Sequence, residues 1–173
     1  MKDFSRSQYN FSTIRREQKI IYSIFLGFML LGIVSILVFY LVRTGLTGAS
    51  LAEYYLGNEE KMMYPKTFQE LWEVTHFHLF TMPVVYLIFA HLFAMTRASG
   101  RLKGAILLGA AAGIFLDLLS GWLIVYLGAG FVFFKIAGRW LLAASFPLFV
   151  AIPLYEMWFK KHKPHPPAHH RKV

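Results

Sequence analysis

Four long stretches of the chain are almost free of charge, and they set its architecture. The first, Ile20 to Val42, reads IIYSIFLGFMLLGIVSILVFYLV and has 23 residues. At roughly 1.5 Å of rise per helical residue this crosses a hydrocarbon layer of ~30 Å. A secretory leader would have a shorter apolar run followed by small residues. Arg43 follows this run instead, so a retained helix is expected. The second stretch, 74–96, carries three His and no Lys, Arg, Asp or Glu. The third, 104–128, encloses Asp117, and the fourth, 140–159, holds Pro147, Pro153 and Glu156. This pattern predicts an all-α integral membrane protein. Residues 1–159 should form one up-down bundle of four transmembrane helices, with short inner and longer outer connections. In the 43–73 connection, Thr67 followed three residues later by Glu70 reads as a helix cap leading into the second span.

Composition supports that reading. Of 173 residues, 57% are hydrophobic and 16% charged, where a soluble domain carries about a quarter charged. The absence of Cys excludes disulfides, thiolate haem, thiol-ligated zinc and a cysteine nucleophile. The net charge of +9 would suggest nucleic acid in a soluble protein, but its placement gives another meaning. Thirteen Lys and Arg lie in 1–19, 97–103 and the segment after Phe159, against five in the 43–73 and 129–139 connections. Basic residues collect on the cytoplasmic side of membrane proteins. Both termini are therefore expected in the cytoplasm, with the lipid bilayer rather than nucleic acid as the partner. The last stretch, KKHKPHPPAHHRKV (160–173), reads as an extended basic tail rich in His and Pro. No P-loop, GxSxG or HExxH occurs, and a stand-alone enzyme is not expected.

Ionisable groups inside a span are costly and mark packing seams or function. His76 and His91 are fifteen positions apart, so on a regular helix they differ by about 60° and share a face, ~22 Å apart along the axis. Glu73 lies on that face, and His78 points elsewhere. A haem on either His would need Met29 or Met157 as sixth ligand, an open position, or a His from a second copy or a partner subunit. A transition metal held by His76, His78 and Asp117 is the rival at the same depth. Without a cofactor, these His would serve as interhelical hydrogen-bonding groups. Asp117 extends the small-residue stripe Gly109, Gly113, Ser120 and Gly121, which predicts that it faces a helix, paired with Arg139 or a His. Glu156 should meet His91 or pair with Arg97 or Lys160. Glu73, Arg139 and Glu156 thus complete a candidate polar seam.

The placement of His76 and His91 resembles the ligand helix of diheme b-type cytochromes, which implies one haem b near each membrane face. Separately, TFQELWEVTHFHLFTMPVVYLIFAHLF (67–93), LDLLSGWLIVYL (116–127) and PLYEMW (153–158) resemble a group of small uncharacterised bacterial four-span inner-membrane proteins. That resemblance implies a multi-pass protein of the bacterial inner membrane. Two functions follow as expectations. One is a haem- or metal-binding subunit passing electrons within a larger membrane complex, alongside other membrane subunits. The other is a cofactor-free accessory or assembly subunit whose buried polar residues specify helix packing.

Overall fold

The computed structural model describes residues 11, 14–45 and 47–160. Among them, four helices are long and apolar enough to cross a bilayer. They are α1 (Arg16–Thr44), α3 (Phe68–Ala94), α4 (Gly100–Leu127) and α5 (Val132–Trp158). The 160–173 tail lies outside the described residues apart from Lys160.

Two boundaries differ from expectation. The connection after α1 contains a short helix, α2 (Gly48–Leu56), which Thr47 caps by accepting from the Ser50 N–H. α5 begins at Val132, eight residues before the expected start of the fourth span at 140. Lys135 and Arg139 therefore lie inside this helix, and the connection before it is only 128–131. The expected pattern of longer outer connections fails at this place. Charges normally mark a helix end at a membrane, but here a carboxylate on α4 lies close to both of them, and the helix includes them.

Two ends of the bundle can be told apart by what they join. At one, Lys19 Nζ donates to the Met157 carbonyl at 2.8 Å, and Trp158 Nε1 donates to Ser23 Oγ at 2.8 Å. The start of α1 thus sits beside the end of α5, at what we term the terminal face. At the other, Arg139 Nη1 donates to Thr44 Oγ1 at 3.0 Å, tying the end of α1 to α5. Arg139 and Met157 are 18 residues apart, or ~27 Å along a helix, close to the thickness of a hydrocarbon core. Arg139, Thr44 and their neighbours therefore stand at the far boundary of that core, and α2 caps them from beyond it.

Between helices in lipid there is little hydrophobic drive, so packing and polar contacts must hold the bundle. Toward the terminal face, Phe89, Phe93 and Phe149 are fully buried; Phe149 stacks on Phe89 and meets Phe93 edge-on, with Phe146 edge-on beside them. Beyond the far boundary, Leu51 and Tyr55 of α2 pack with Leu71, Ile124 and Val132. Between these layers α4 and α5 approach backbone to backbone. A Cβ on Gly138 would lie 2.9 Å from the Asp117 nitrogen and 3.1 Å from the Gly113 carbonyl. One on Gly113 would meet Leu142 Cγ at 2.9 Å and the Gly138 carbonyl at 3.1 Å. α1 is attached differently. Leu26 is buried and Tyr22, Phe25, Met29 and Ile33 pack on the apolar core, but residues 34–39 are all exposed before the helix returns to the bundle at Thr44.

The glycine crossing gives a direct expectation. Gly138→Ala should cost about 1–3 kcal/mol through overpacking and lower the melting temperature in detergent. Gly104→Ala, where a Cβ would meet nothing within 4 Å, should be neutral or stabilising by about 0.5–1 kcal/mol. Equal responses at the two positions would contradict the close approach.

Candidate functional site

Asp117 stands on α4 one turn beyond Gly113, and its side chain is 8% exposed. Because Gly138 lets the two backbones touch, Lys135, one turn before it on α5, and Arg139, the next residue after it, are brought over that carboxylate. Lys135 Nζ lies 3.0 Å from Asp117 Oδ1 and donates to the Asp117 carbonyl at 2.6 Å. Arg139 Nε is 3.9 Å from the same Oδ1. Arg139 is also stacked on the Tyr40 ring, with Cζ 4.1 Å from its centroid, while Nη1 donates to Thr44. The Thr44 hydroxyl donates in turn to the Tyr40 carbonyl at 3.0 Å. From α2, the Tyr55 ring covers Lys135, with Nζ 5.7 Å from its centroid. Burial and the nearby Asp117 charge push the Tyr55 phenol above its ordinary range, so it remains neutral. One carboxylate thus gathers two cations, and through them α1, α2, α4 and α5.

The hydrogen bonding at this centre is uneven. Lys135 is well provided for. Asp117 Oδ1, Arg139 Nε and Arg139 Nη2 are buried and have no hydrogen-bond partner among the described residues. Lys135 approaches Oδ1 closely enough for ionic attraction but off the hydrogen-bond direction.

A second cluster lies at the terminal face. Glu156 is 5% exposed, and its carboxylate accepts the Arg97 backbone N–H at 2.7 and 2.9 Å. Lys160 Nζ donates to Glu156 Oε1 at 3.0 Å. The carboxylate on α5 therefore fixes the α3–α4 connection through its backbone. Lys103 adds to this by donating to the Ala94 carbonyl at 2.6 Å.

Among the described residues, the three His of α3 take no part in either cluster. His76 is exposed, with its ring edge-on to Phe80 at 5.1 Å. His91 is exposed too, and no hydrogen bond or ion pair among the described residues involves it. His78 is half-buried and donates from Nδ1 to the Val74 carbonyl at 2.7 Å, within its own helix. Glu73 is exposed and accepts from Gln69 Nε2 at 3.1 Å. Met157 is buried in the apolar core and Met29 packs half-buried against it. His76, His78 and Asp117 do not form a common ligand group, and no set of three or more His, Asp or Glu suited to a metal occurs among the described residues. Asp117 meets no His; its nearer partner is Lys135, and Arg139 stands further off.

Lys135, Thr44, Tyr40 and Tyr55 went unnoticed in the sequence. The available signal was FKIAGRW (134–140): two cations at i and i+4, with a Gly between them, in a stretch apolar on both sides. Residues i and i+4 share a helix face, so this pattern describes two charges flanking one close contact. For Thr44, Tyr40 and Tyr55 no comparable signal exists, because they reach the site only through tertiary packing.

A transmembrane helical domain family model matches residues 45–164, more than half of the chain. The chain belongs to this family, Aq_1264_TM. The matched segment begins directly after α1 and holds α2 to α5, with Asp117, Lys135, Arg139 and Glu156 inside it. Among the helices of the site, α1 alone, with Tyr40 and Thr44, stands outside the match. No curated protein and no solved structure matches the chain.

Thr44 is the link between α1 and the Aq_1264_TM domain at the far boundary. Thr44→Val should leave a buried guanidinium N–H unpaired, at a cost of about 1.5–3 kcal/mol for a bond to a charged group. Amide hydrogen exchange over Tyr40–Thr44 should accelerate while that of α4 stays unchanged. Unaltered exchange in α1 would show that the contact does not hold the helix.

Proposed function

We propose that this family member is a small accessory or assembly subunit of the bacterial inner membrane, with both termini cytoplasmic and without a cofactor of its own. The observation that carries the reading is the use made of its buried charges. Asp117, Lys135 and Arg139 are engaged with one another and with α1 and α2, and Glu156 holds the α3–α4 connection. Each spends its bonding on joining helices. Carboxylates and ammonium groups committed in this way act as position markers for packing. The orientation rests on the distribution of basic residues along the sequence, thirteen in 1–19, 97–103 and after Phe159 against five in the other two connections. Such a subunit would serve a larger membrane complex or a second copy of itself through its exposed helix faces.

A second reading has one observation in its favour. His76 and His91 are both exposed on α3, where a neighbouring subunit can reach them. A haem b or metal ion shared with a partner's ligand would make the chain an electron-transfer subunit. One preparation separates the two. Native membranes solubilised in mild detergent and purified by the chain should give a colourless sample without stoichiometric metal. A reduced-minus-oxidised Soret and α band that disappears in His76→Ala or His91→Ala would sink the accessory reading in favour of the second.

A further inference from the structure

The three buried polar atoms left without hydrogen bonds at the far boundary are mutually complementary. Asp117 Oδ1 is an acceptor, and Arg139 Nε and Nη2 are two donors along one edge of a planar fork. They belong to residues already facing each other, with Nε and Oδ1 3.9 Å apart. Closing that distance to a normal hydrogen bond of ~2.9 Å needs a movement of only about 1 Å. An Arg edge on a carboxylate is the geometry in which two parallel hydrogen bonds form. Lys135 meanwhile holds Oδ1 by charge and has a second anchor in the Asp117 carbonyl at 2.6 Å.

We propose that Asp117 is handed between two cations: a Lys135-held state, which is the one described above, and an Arg139-held state with the carboxylate on the Nε/Nη2 edge. The second state satisfies all three orphaned atoms at once. It keeps the Lys135 bond to the Asp117 carbonyl, and it leaves Arg139 Nη1 on Thr44, because the two edges of the guanidinium are distinct. Lys135 then leans on the Tyr55 ring of α2, which already covers it. The carboxylate thereby changes partner between Lys135, which the Tyr55 ring of α2 covers, and Arg139, which stays bonded to Thr44 of α1. The device is the same with or without a cofactor.

Redundancy is its measurable consequence. In Lys135→Met the carboxylate passes to Arg139, so the melting temperature in nanodiscs should fall by no more than about 3 °C. A fixed Lys135–Asp117 pair would instead leave a buried charge uncompensated and lower it by about 10 °C or more. Arg139→Gln should then cost clearly more in the Lys135→Met background than in the native chain. Equal costs in both backgrounds, or a large loss from Lys135→Met alone, would overturn the hand-over. The native chain offers a check that needs no destabilised variant. Its Arg139 Nε–H resonance, assigned by Arg139→Lys, should be broadened by exchange and should sharpen in Lys135→Met. A single sharp line, unchanged between the two, would equally overturn it.

Discussion

Everything at the far boundary depends on how closely α4 and α5 approach at Gly113 and Gly138. Neither glycine has room for a Cβ, and the contact is backbone against backbone. Only at that separation can Lys135 and Arg139, three residues before and one after Gly138, both come over the Asp117 carboxylate. Steric permission comes first, electrostatics second. Glycines that cost conformational entropy in a helix are here the condition for burying a charged group at all. The apolar layers on either side, Phe89/Phe93/Phe149 and Leu51/Leu71/Ile124, hold the crossing in place.

The location of the charges decides what they cost. Lys19 and Trp158 mark one boundary of the hydrocarbon core, and Arg139 lies about one core thickness away. Asp117 and its partners thus stand at the rim of the membrane, where α2 covers them, and not at its centre. A charged trio there faces a smaller desolvation penalty than one at mid-bilayer. It also lies where the family domain meets α1, so its bonds define the far-boundary attachment of a helix whose residues 34–39 are exposed. Outside the bundle, Glu53 accepts from Lys61 at 2.6 Å and from Asn58 at 3.0 Å. These contacts hold its carboxyl below the ordinary glutamate range and brace the loop that follows α2.

The spans were readable because lipid imposes length and composition on them. At the far face the first and third expected stretches end within two residues of α1 and α4, while α3 opens six residues before 74, at the expected Thr67–Glu70 cap. The fourth was misplaced for a physical reason. A Lys and an Arg look like a helix boundary until a partner carboxylate is known to neutralise them, and that partner lies 18 and 22 residues away in sequence. α2 was overlooked because nine residues are too few for a periodic signal, and its cap uses Ser50 where a Glu or Gln would have been diagnostic. The stripe of Gly113, Asp117, Ser120 and Gly121 was legible as a buried seam, since small residues and a carboxylate at helical spacing have few other uses in a membrane. The His residues carried no such constraint. Helical periodicity relates them to one another, but not to the interior or the exterior of the bundle.

The most direct test of this arrangement is the proximity of the Asp117 carboxyl to the nitrogens of α5 in a lipid bilayer. Dipolar dephasing of the Asp117 Cγ signal by 15N-labelled Lys135 and Arg139 side chains, in reconstituted membranes, measures it. Strong dephasing that disappears when Gly138→Val forces the helices apart is the expected result. A carboxyl signal that neither label attenuates would mean that the two helices do not meet at these glycines, and the charged centre would have to be abandoned with them.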